Sequence, residues 1–552
     1  LPMNPAQWLV RTALLTPQAP ALFKGARLEA DYAEFLHRVA ALAGGLRAQY
    51  GVSKGDRVAV FMNNCTEYLE ALYAIWFIGA VAVPINAKLH AKEAAWIIAD
   101  AQVELAFVSS NTGAGLQEVA PACLKNLLDV QGRRFAQLRQ QTPQPAPEVI
   151  GADELLWLFY TSGTTGQPKG VIRATGGHLV ALAWTMKNHY NVNPGEVFWS
   201  ASDVGWVVGH SYIVYGPLIH GATTIVFEGK PVGTPDAGTF WRVIEDYKVV
   251  SFFTAPTAFR AIKREDPKGE FLAKYDISSL RCLYLAGERA DPDTVIWAQE
   301  KLGVPVVDHW WQTETGWAIC GNPQGLEPLP IKIGSPSVPM PGYNVQVLDE
   351  AGHPVPAGTL GAIAIKLPLP PGTLPNLWNA EDRFRKSYLN TFPGYYETGD
   401  AGYIDEDGYV YIMARTDDVI NVAGHRLSTG GMEEVLAAHS DVGECAVIGV
   451  TDQLKGQLPL GFLCLNKGVN RDPAEVVKEC VTLVREKIGP VAAFKLAVVV
   501  DRLPKTRSGK ILRATMVKIA DGEDYKMPAT IDDPAILDEI GDALRTIGYA
   551  KR

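Results

Sequence analysis

Apolar and polar positions change period repeatedly along this chain. Short apolar runs at 57–62, 80–85, 105–109 and 223–227 read as buried strands, and stretches with helical spacing at 63–78 and 92–101 lie among them. Strands alternating with helices predict an α/β architecture with largely parallel sheets, because parallel neighbours need a crossover between them. The longest apolar run, 71–85, falls short of the ~20 residues of a membrane helix. It is broken by Gly79 and Pro84 and reads as a buried helix followed by a strand. The proline-rich stretch 142–147 cannot join a ladder and is expected to link sub-structures, and 367–372 is a second breaker among the later strands. Asp405-Glu406-Asp407-Gly408 predicts a hairpin turn between 401–404 and 409–413, since Asp-Gly readily takes positive φ. Arg415-Thr416-Asp417-Asp418 follows as a polar break. We therefore expect a large N-terminal domain, 1–414, and a small C-terminal domain, 415–552.

Length requires such a division, since 552 residues exceed the ~250–300 at which one core stops growing. With 51 basic against 60 acidic residues, the net charge of −9 excludes a general electrostatic grip on nucleic acid. The seven cysteines are odd in number, scattered and without a Cys-x-x-Cys, so they read as reduced thiols of a cytoplasmic protein. No basic-then-apolar leader is visible at the N-terminus, and no membrane partner is expected.

The segment Thr161-Ser162-Gly163-Thr164-Thr165-Gly166-Gln167-Pro168-Lys169-Gly170 follows the apolar strand 155–160. Its glycines let backbone amides and hydroxyls close around phosphate oxygens, and Lys169 adds a point charge. A Walker P-loop would end Gly-Lys-Ser/Thr; here Pro168 precedes Lys169 and Gly170 follows it. A serine-hydrolase elbow at Gly209-His210-Ser211 fails because residue 213 is Ile213, not glycine.

Tyr160–Gly170 resembles the phosphate-binding motif of the adenylate-forming superfamily, which includes acyl-CoA synthetases, luciferases and peptide-synthetase adenylation domains. The other family motifs follow in order: Asp308-His309-Trp310-Trp311-Gln312-Thr313-Glu314, then Tyr396-Glu397-Thr398-Gly399-Asp400, Arg415-Thr416-Asp417-Asp418, and Pro504-Lys505-Thr506-Arg507-Ser508-Gly509-Lys510. The resemblance implies a large domain of mostly parallel sheets with a distorted β-barrel, and a small mobile α+β domain turning about Asp417. It implies ATP, Mg²⁺ and coenzyme A as cofactors. At the nucleotide it places Thr161, Ser162, Gly163, Thr164, Thr165, Gly166, Lys169, Gly287, Glu288, Arg289, Asp308, His309, Trp310, Trp311, Gln312, Thr313, Asp400, Arg415 and Arg426. Thr161, Lys169, Glu314 and Lys510 take catalytic parts, with Glu314 at the magnesium of MgATP, a hard cation suited to carboxylate oxygen.

Ala201–Tyr212, Leu285-Ala286-Gly287-Glu288 and Val419–Arg426 are similar to the acetyl- and propionyl-CoA synthetase branch, as is Thr530-Ile531-Asp532-Asp533-Pro534 to its propionate type. That branch implies an acyl pocket of Val207, Val208, Ala286 and Trp311. An indole there admits only a short acid, and Ala286 where acetate enzymes carry valine adds room for about one methylene, worth about 0.8 kcal/mol. Arg289 departs from the proline usual in the branch. The resemblance also implies coenzyme A contacts at Ala423, Gly424 and Arg485, and a structural Mg²⁺ at the backbone of Ala437 and Val442 with the His439 side chain. The stretch 6–126 reads more like medium- and long-chain synthetases, and an N-terminal extension typical of short-chain enzymes is expected to be missing.

The expected activity is ATP-dependent conversion of a short carboxylic acid to its acyl-CoA through an acyl-adenylate. Propionate is preferred over acetate, acrylate or 3-hydroxypropionate. Alternatives are an adenylating enzyme that loads a carrier protein, the ligase portion of a multifunctional chain, and a catalytically silent nucleotide-binding module.

Overall fold

The computed structural model describes residues 2–24, 27–161, 167–506, 509–528 and 531–551. A six-stranded sheet runs in the order Asn126–Asp129, Leu105–Val108, Arg57–Met62, Val81–Asn86, Leu155–Thr161, Lys169–Ala174, parallel except for the last pair. A seven-stranded sheet runs Val306–Asp308, Cys282–Leu285, Ser251–Thr254, Val197–Ser200, Thr223–Val226, Pro20–Lys24, Arg27–Asp31, again parallel except for the last pair. The helix Thr66–Phe77 is buried at every position but Glu67 and packs on strands of both sheets, as a helix apolar on nearly all sides must. The run 71–85 is thus a buried helix and a buried strand, and no described helix is long and apolar enough to cross a membrane.

The proline-rich stretch does not hang free. Gln144 N–H donates to Ala40 O, Glu148 N–H donates to Phe77 O, and a Cβ on Gly44 would meet Thr142 O at 2.1 Å. A segment that cannot pair in a sheet is strapped across helices instead, because its backbone groups still need partners.

The expected barrel takes the form of a four-stranded antiparallel sheet, Val345–Leu348, Gly361–Lys366, Tyr395–Ile404 and Val410–Arg415, beside the short pair Cys320–Gly321 and Val338–Pro339. The Asp405–Gly408 turn forms as the sequence predicts: Gly408 has φ 85°, Asp405 accepts the amides of Asp407 and Tyr409, and Lys332 bridges Asp405 and Asp407.

After the single 3-10 turn Thr416–Asp418 the chain enters another sheet, ordered His425–Leu427, Ile420–Val422, Gly456–Leu465, Val442–Asp452, with Leu496–Val499 parallel to Gly456–Leu465. Alternate residues of its long strands feed two apolar layers. Ile448 and Phe462 face the helices Arg513–Ala520 and Ala535–Arg545, while Val447 and Leu463 face Thr429–Ala437 and Pro473–Lys487.

Candidate active site

Thr161, Thr254, Leu285 and Asp308 end parallel strands of the two large sheets, where open α/β sheets leave a crevice. Thr161 pairs in register with Lys169, so the hairpin closes just where the phosphate-type segment begins. Ser162, Gly163, Thr164, Thr165 and Gly166 lie outside the described residues. The Thr161 hydroxyl is buried and finds no protein partner among the described residues, which leaves it free for a ligand oxygen. Lys169 Nζ lies 4.7 Å from the centroid of the Tyr388 ring. Desolvation lowers the Lys169 pKa, although the charge of Glu314 opposes the shift. Arg383 fastens the far side of the loop through the carbonyls of Gln167 and Pro168, at 2.6 and 3.1 Å.

Asp400 is the most crowded carboxylate. It accepts from Trp310 Nε1 at 3.0 Å, Gln312 Nε2 at 3.3 Å and Arg415 Nη1 at 3.1 Å. Burial raises its pKa, and Arg415, Trp310 and Gln312 pull it back by stabilising the anion. Gly399 makes this possible: it sits at φ 75°, and a Cβ there would meet Arg415 Nη2 at 2.4 Å. Gln312 also donates to Thr398 O at 2.6 Å and accepts from Tyr396 OH at 3.1 Å. The sequence pairs a carboxylate with a distant Trp-x-Gln, and the fold brings them into contact.

Glu314 accepts from Tyr388 OH at 2.9 Å through Oε1, and its second oxygen has no protein partner among the described residues. A half-buried carboxylate with one oxygen free beside Lys169 suits a hard divalent cation carried on phosphates. Lys510 arrives from the other sheet. The charges acting on it are those of Glu314, Arg415 and Asp400. Water reaches Lys510, yet the protein around the cleft encloses its charge and lowers its pKa, and Glu314 and Asp400 oppose that shift.

The acyl-pocket candidates all border the main apolar core of the large domain. Ala286 is buried just past the Cys282–Leu285 strand, and Val207, Val208 and Trp311 pack half-buried on the same core. Trp311 is held edge-on by Tyr212 at 5.6 Å and tilted against Phe253 at 6.3 Å. Behind Val207–Gly209 the chain winds as a π-helix, His210–Tyr215, whose Ser211 Oγ donates to Gly316 O at 2.6 Å. Such π-segments are frequent at functional sites.

Several expected residues are engaged differently. His309 turns into the core: Nδ1–H donates to Leu285 O at 2.7 Å, so Nε2 accepts from Tyr190 OH at 2.9 Å, and burial pushes its pKa down to about 3. Only its backbone can face a nucleotide. Glu288 is taken up by Arg260 Nη2 at 2.6 Å and by the Thr257 hydroxyl, while Gly287, at φ 104°, turns the chain. Asp308 ends its strand with its pKa raised well above the ordinary value by burial. Arg289 donates across to Gly430 O at 2.7 Å and pairs with Glu434, so its guanidinium grips the second sheet's helix rather than awaiting a nucleotide. Arg426 pairs with exposed Glu350 at 3.2 Å, outside the Asp400 group. Ala423 and Gly424, at φ 49° and 85°, form an exposed hairpin turn, and Arg485 is exposed on the Pro473–Lys487 helix.

At the expected structural magnesium position, the ligand atoms of His439, Asp441 and Glu479 lie within 4.8 Å of one another. His439 Nδ1 accepts the Asp441 amide at 3.1 Å, so Nε2 carries the proton and donates to Glu479 at 2.6 Å. Val442 N–H donates to His439 O at 3.0 Å to complete a turn. Arg471 already bridges Asp441 and Glu479, supplying the positive charge.

Sequence reasoning missed Tyr388 and Arg173, and named Tyr396 and Thr398 as motif positions without a role of their own. Tyr388 and Tyr396 stack 5.3 Å apart at 7°, bringing together residues with no shared motif. For Arg173 a signal existed: it lies four positions from Lys169 on one strand, hence on the same face.

An AMP-binding enzyme family model matches residues 9–370, and a model for the C-terminal domain of AMP-binding enzymes matches 431–510. The mouse protein named acyl-CoA synthetase short-chain family member 3, mitochondrial, is 44% identical over 547 residues, covering 93% of this chain and 79% of that one. The propionate–CoA ligase of Escherichia coli K12 is 42% identical over 541 residues, covering 92% of this chain and 85% of that one. Among solved structures, the anthranilate CoA ligase AuaEII in complex with anthranoyl-AMP superposes with a TM-score of 0.83 at 25% identity, covering 94% of this chain and 97% of that one. The acetoacetyl-CoA synthetase of Streptomyces lividans gives a TM-score of 0.86 at 24% identity over 99% of this chain and 87% of that one, a likeness of fold. With a strand-end cleft, a lysine from the second sheet facing it and relatives of this identity along nearly its whole length, the chain belongs to the AMP-binding enzyme family of adenylate-forming ligases.

Proposed function

We propose that this enzyme activates a short carboxylic acid, propionate before acetate, acrylate or 3-hydroxypropionate, to its acyl-CoA, in a reducing, cytoplasmic-type compartment compatible with its seven free thiols. The observation that carries the reading is that Lys510 lies within electrostatic range of Glu314, Asp400 and Arg415. The acid's carboxylate attacks the α-phosphorus of ATP, pyrophosphate leaves and an acyl-adenylate forms. The thiol of coenzyme A then attacks the acyl carbon, AMP leaves and the thiol proton passes to solvent.

In the first half Lys510 and Lys169 offset negative charge that otherwise repels the attacking carboxylate. Asp400, already polarised by Trp310, Gln312 and Arg415, accepts hydrogen bonds from the ribose hydroxyls, and Glu314 would hold a magnesium ion, which would supply charge screening of the phosphates. The acid's carbon tail lies against Val207, Val208, Ala286 and Trp311. In the second half the small domain, 415–552, turns about Asp417 and brings the Ala423–Gly424 turn to the thiol, with Arg485 toward a coenzyme A phosphate. Exposure of that turn in the present orientation supports a role that awaits rotation.

Lys510→Ala tests the division of labour. ATP–pyrophosphate exchange with propionate should fall by about 10²–10³-fold, as when one transition-state donor is removed. Thioester formation from supplied propionyl-adenylate should continue, and equal loss of both halves would refute the assignment.

A further inference from the structure

Arg173 is buried completely, on the Lys169–Ala174 strand, with no carboxylate in ion-pair contact among the described residues. Burial pushes its pKa down to about 10, so it is still charged at neutral pH. Its partners are three backbone carbonyls. Nη2 donates to Thr313 O at 2.6 Å, and Nη1 donates to Thr315 O at 3.2 Å and to Gly372 O at 2.8 Å. The guanidinium lies 5.2 Å from the centroid of the Trp157 ring.

Burying a charge without a counter-charge is costly, and carbonyl dipoles repay it only when they are held in place. The loop they belong to is fitted around the group. Gly316 sits at φ 75°, where a Cβ would meet Arg173 Cζ at 3.0 Å and His178 Cε1 at 2.7 Å. Ser211 Oγ secures the Gly316 carbonyl from the pocket side. The two loop carbonyls that Arg173 grips flank Glu314, whose own carboxylate is steadied only by Tyr388. Lys169, on the same face of the same strand, lies over that tyrosine.

We propose that Arg173 is a positioning residue for adenylation: by clamping the carbonyls on either side of Glu314 it fixes that carboxylate in register with Lys169, and so governs how well the site takes up magnesium. The proposal rests on the reading of Glu314 given above. The planar fork of arginine suits diverging carbonyls in a way that the point charge of lysine cannot copy.

Arg173→Lys and Arg173→Met are compared with the wild type in ATP–pyrophosphate exchange across a Mg²⁺ titration, in thioester formation from supplied propionyl-adenylate, and in thermal melts. For Arg173→Lys, exchange kcat should fall about tenfold or more, the half-saturating Mg²⁺ concentration should rise severalfold, and KM for propionate and the adenylate-fed rate should hold. Adding Glu314→Gln to Arg173→Lys should bring no further loss beyond Glu314→Gln alone, because one acts through the other. Unchanged Mg²⁺ dependence, multiplicative losses in the double variant, or equal loss of both half-reactions would each overturn the proposal. If Arg173→Met does not fold, the lysine variant carries the test, and a lysine variant that also fails to fold makes Arg173 a requirement of the fold and overturns it. Glu314→Gln with an unaltered Mg²⁺ requirement would instead sink the reading of Glu314 itself, whatever Arg173 does.

Discussion

Lys510 is open to water at the cleft, and desolvation by the protein around it depresses its pKa. Adenylation needs its charged form, so activity is present below that pKa and is lost as pH rises through it. The alkaline limb of kcat/KM, which reports the free enzyme, should therefore fall below the ordinary lysine range, and Lys510→Arg should move it upward. A limb that stays put in Lys510→Arg would assign it to another group. Trp311 is the second residue whose environment decides a rate. Braced by Tyr212 and Phe253, it cannot swing aside to admit a longer tail. Trp311→Gly should extend the accepted acids by several carbons while lowering activity on propionate, read from AMP formation over a C2–C8 panel. One methylene alone seldom separates substrates by more than ~10–200-fold, so the wild type should still use acetate.

Motif residues were legible in the sequence because their spacing is local; their partners were not. Asp400 could be named from Tyr-Glu-Thr-Gly-Asp, but the saturation of its carboxylate depends on Arg415 pairing opposite it and on the loop after Val306–Asp308 bringing up Trp310 and Gln312. His309 sits inside a motif and still turns its ring to the core, because Leu285 on the adjoining strand and Tyr190 in the turn after the Thr175–Asn188 helix offer a complete set of partners. Arg289 and His439 each find an acid that no local spacing announces, Glu434 and Glu479, supplied from more than a hundred and from 40 residues away.

At the scale of elements, period and turn chemistry anticipated the strand 57–62 to the residue, and the hairpin at Asp405–Gly408. Which helix would sit on which strand was not encoded in either. The helix Thr429–Ala437 rests directly on the Val410–Arg415 strand, and a Cβ on Gly430 would meet Met413 O at 1.9 Å. That contact seats the small domain with Lys510 over the cleft. Gly430→Ala should therefore lift the helix at a cost of about 1–3 kcal/mol, as overpacking does. The adenylation rate should drop by about tenfold or more, with the adenylate-fed thioester rate unchanged or raised. A variant in which both rates survive would show that the seat has slack.

Across the whole molecule, the small domain is joined covalently by one short turn, Thr416–Asp418, and beyond the seat of Gly430 on Met413 it is held by polar contacts at the rim. Arg289–Glu434 is the sheltered one; Lys467–Glu265 at 3.1 Å and Arg426–Glu350 at 3.2 Å lie open to solvent. Exposed pairs are each worth about 0–1 kcal/mol and fade as the Debye length shrinks to ~3 Å near 1 M salt. Arg289→Ala should make the balance of orientations steeper in ionic strength, which small-angle scattering at low and high salt would detect; a salt-independent profile would mean the rim pairs contribute nothing. Rim contacts of this kind turn ionic strength into a selector of the slow step. In dilute buffer the enzyme should dwell as an adenylate former that waits for the thiol, and in concentrated salt as a thioester former short of intermediate. Assays of one preparation at two salt concentrations would then disagree about which substrate limits the rate.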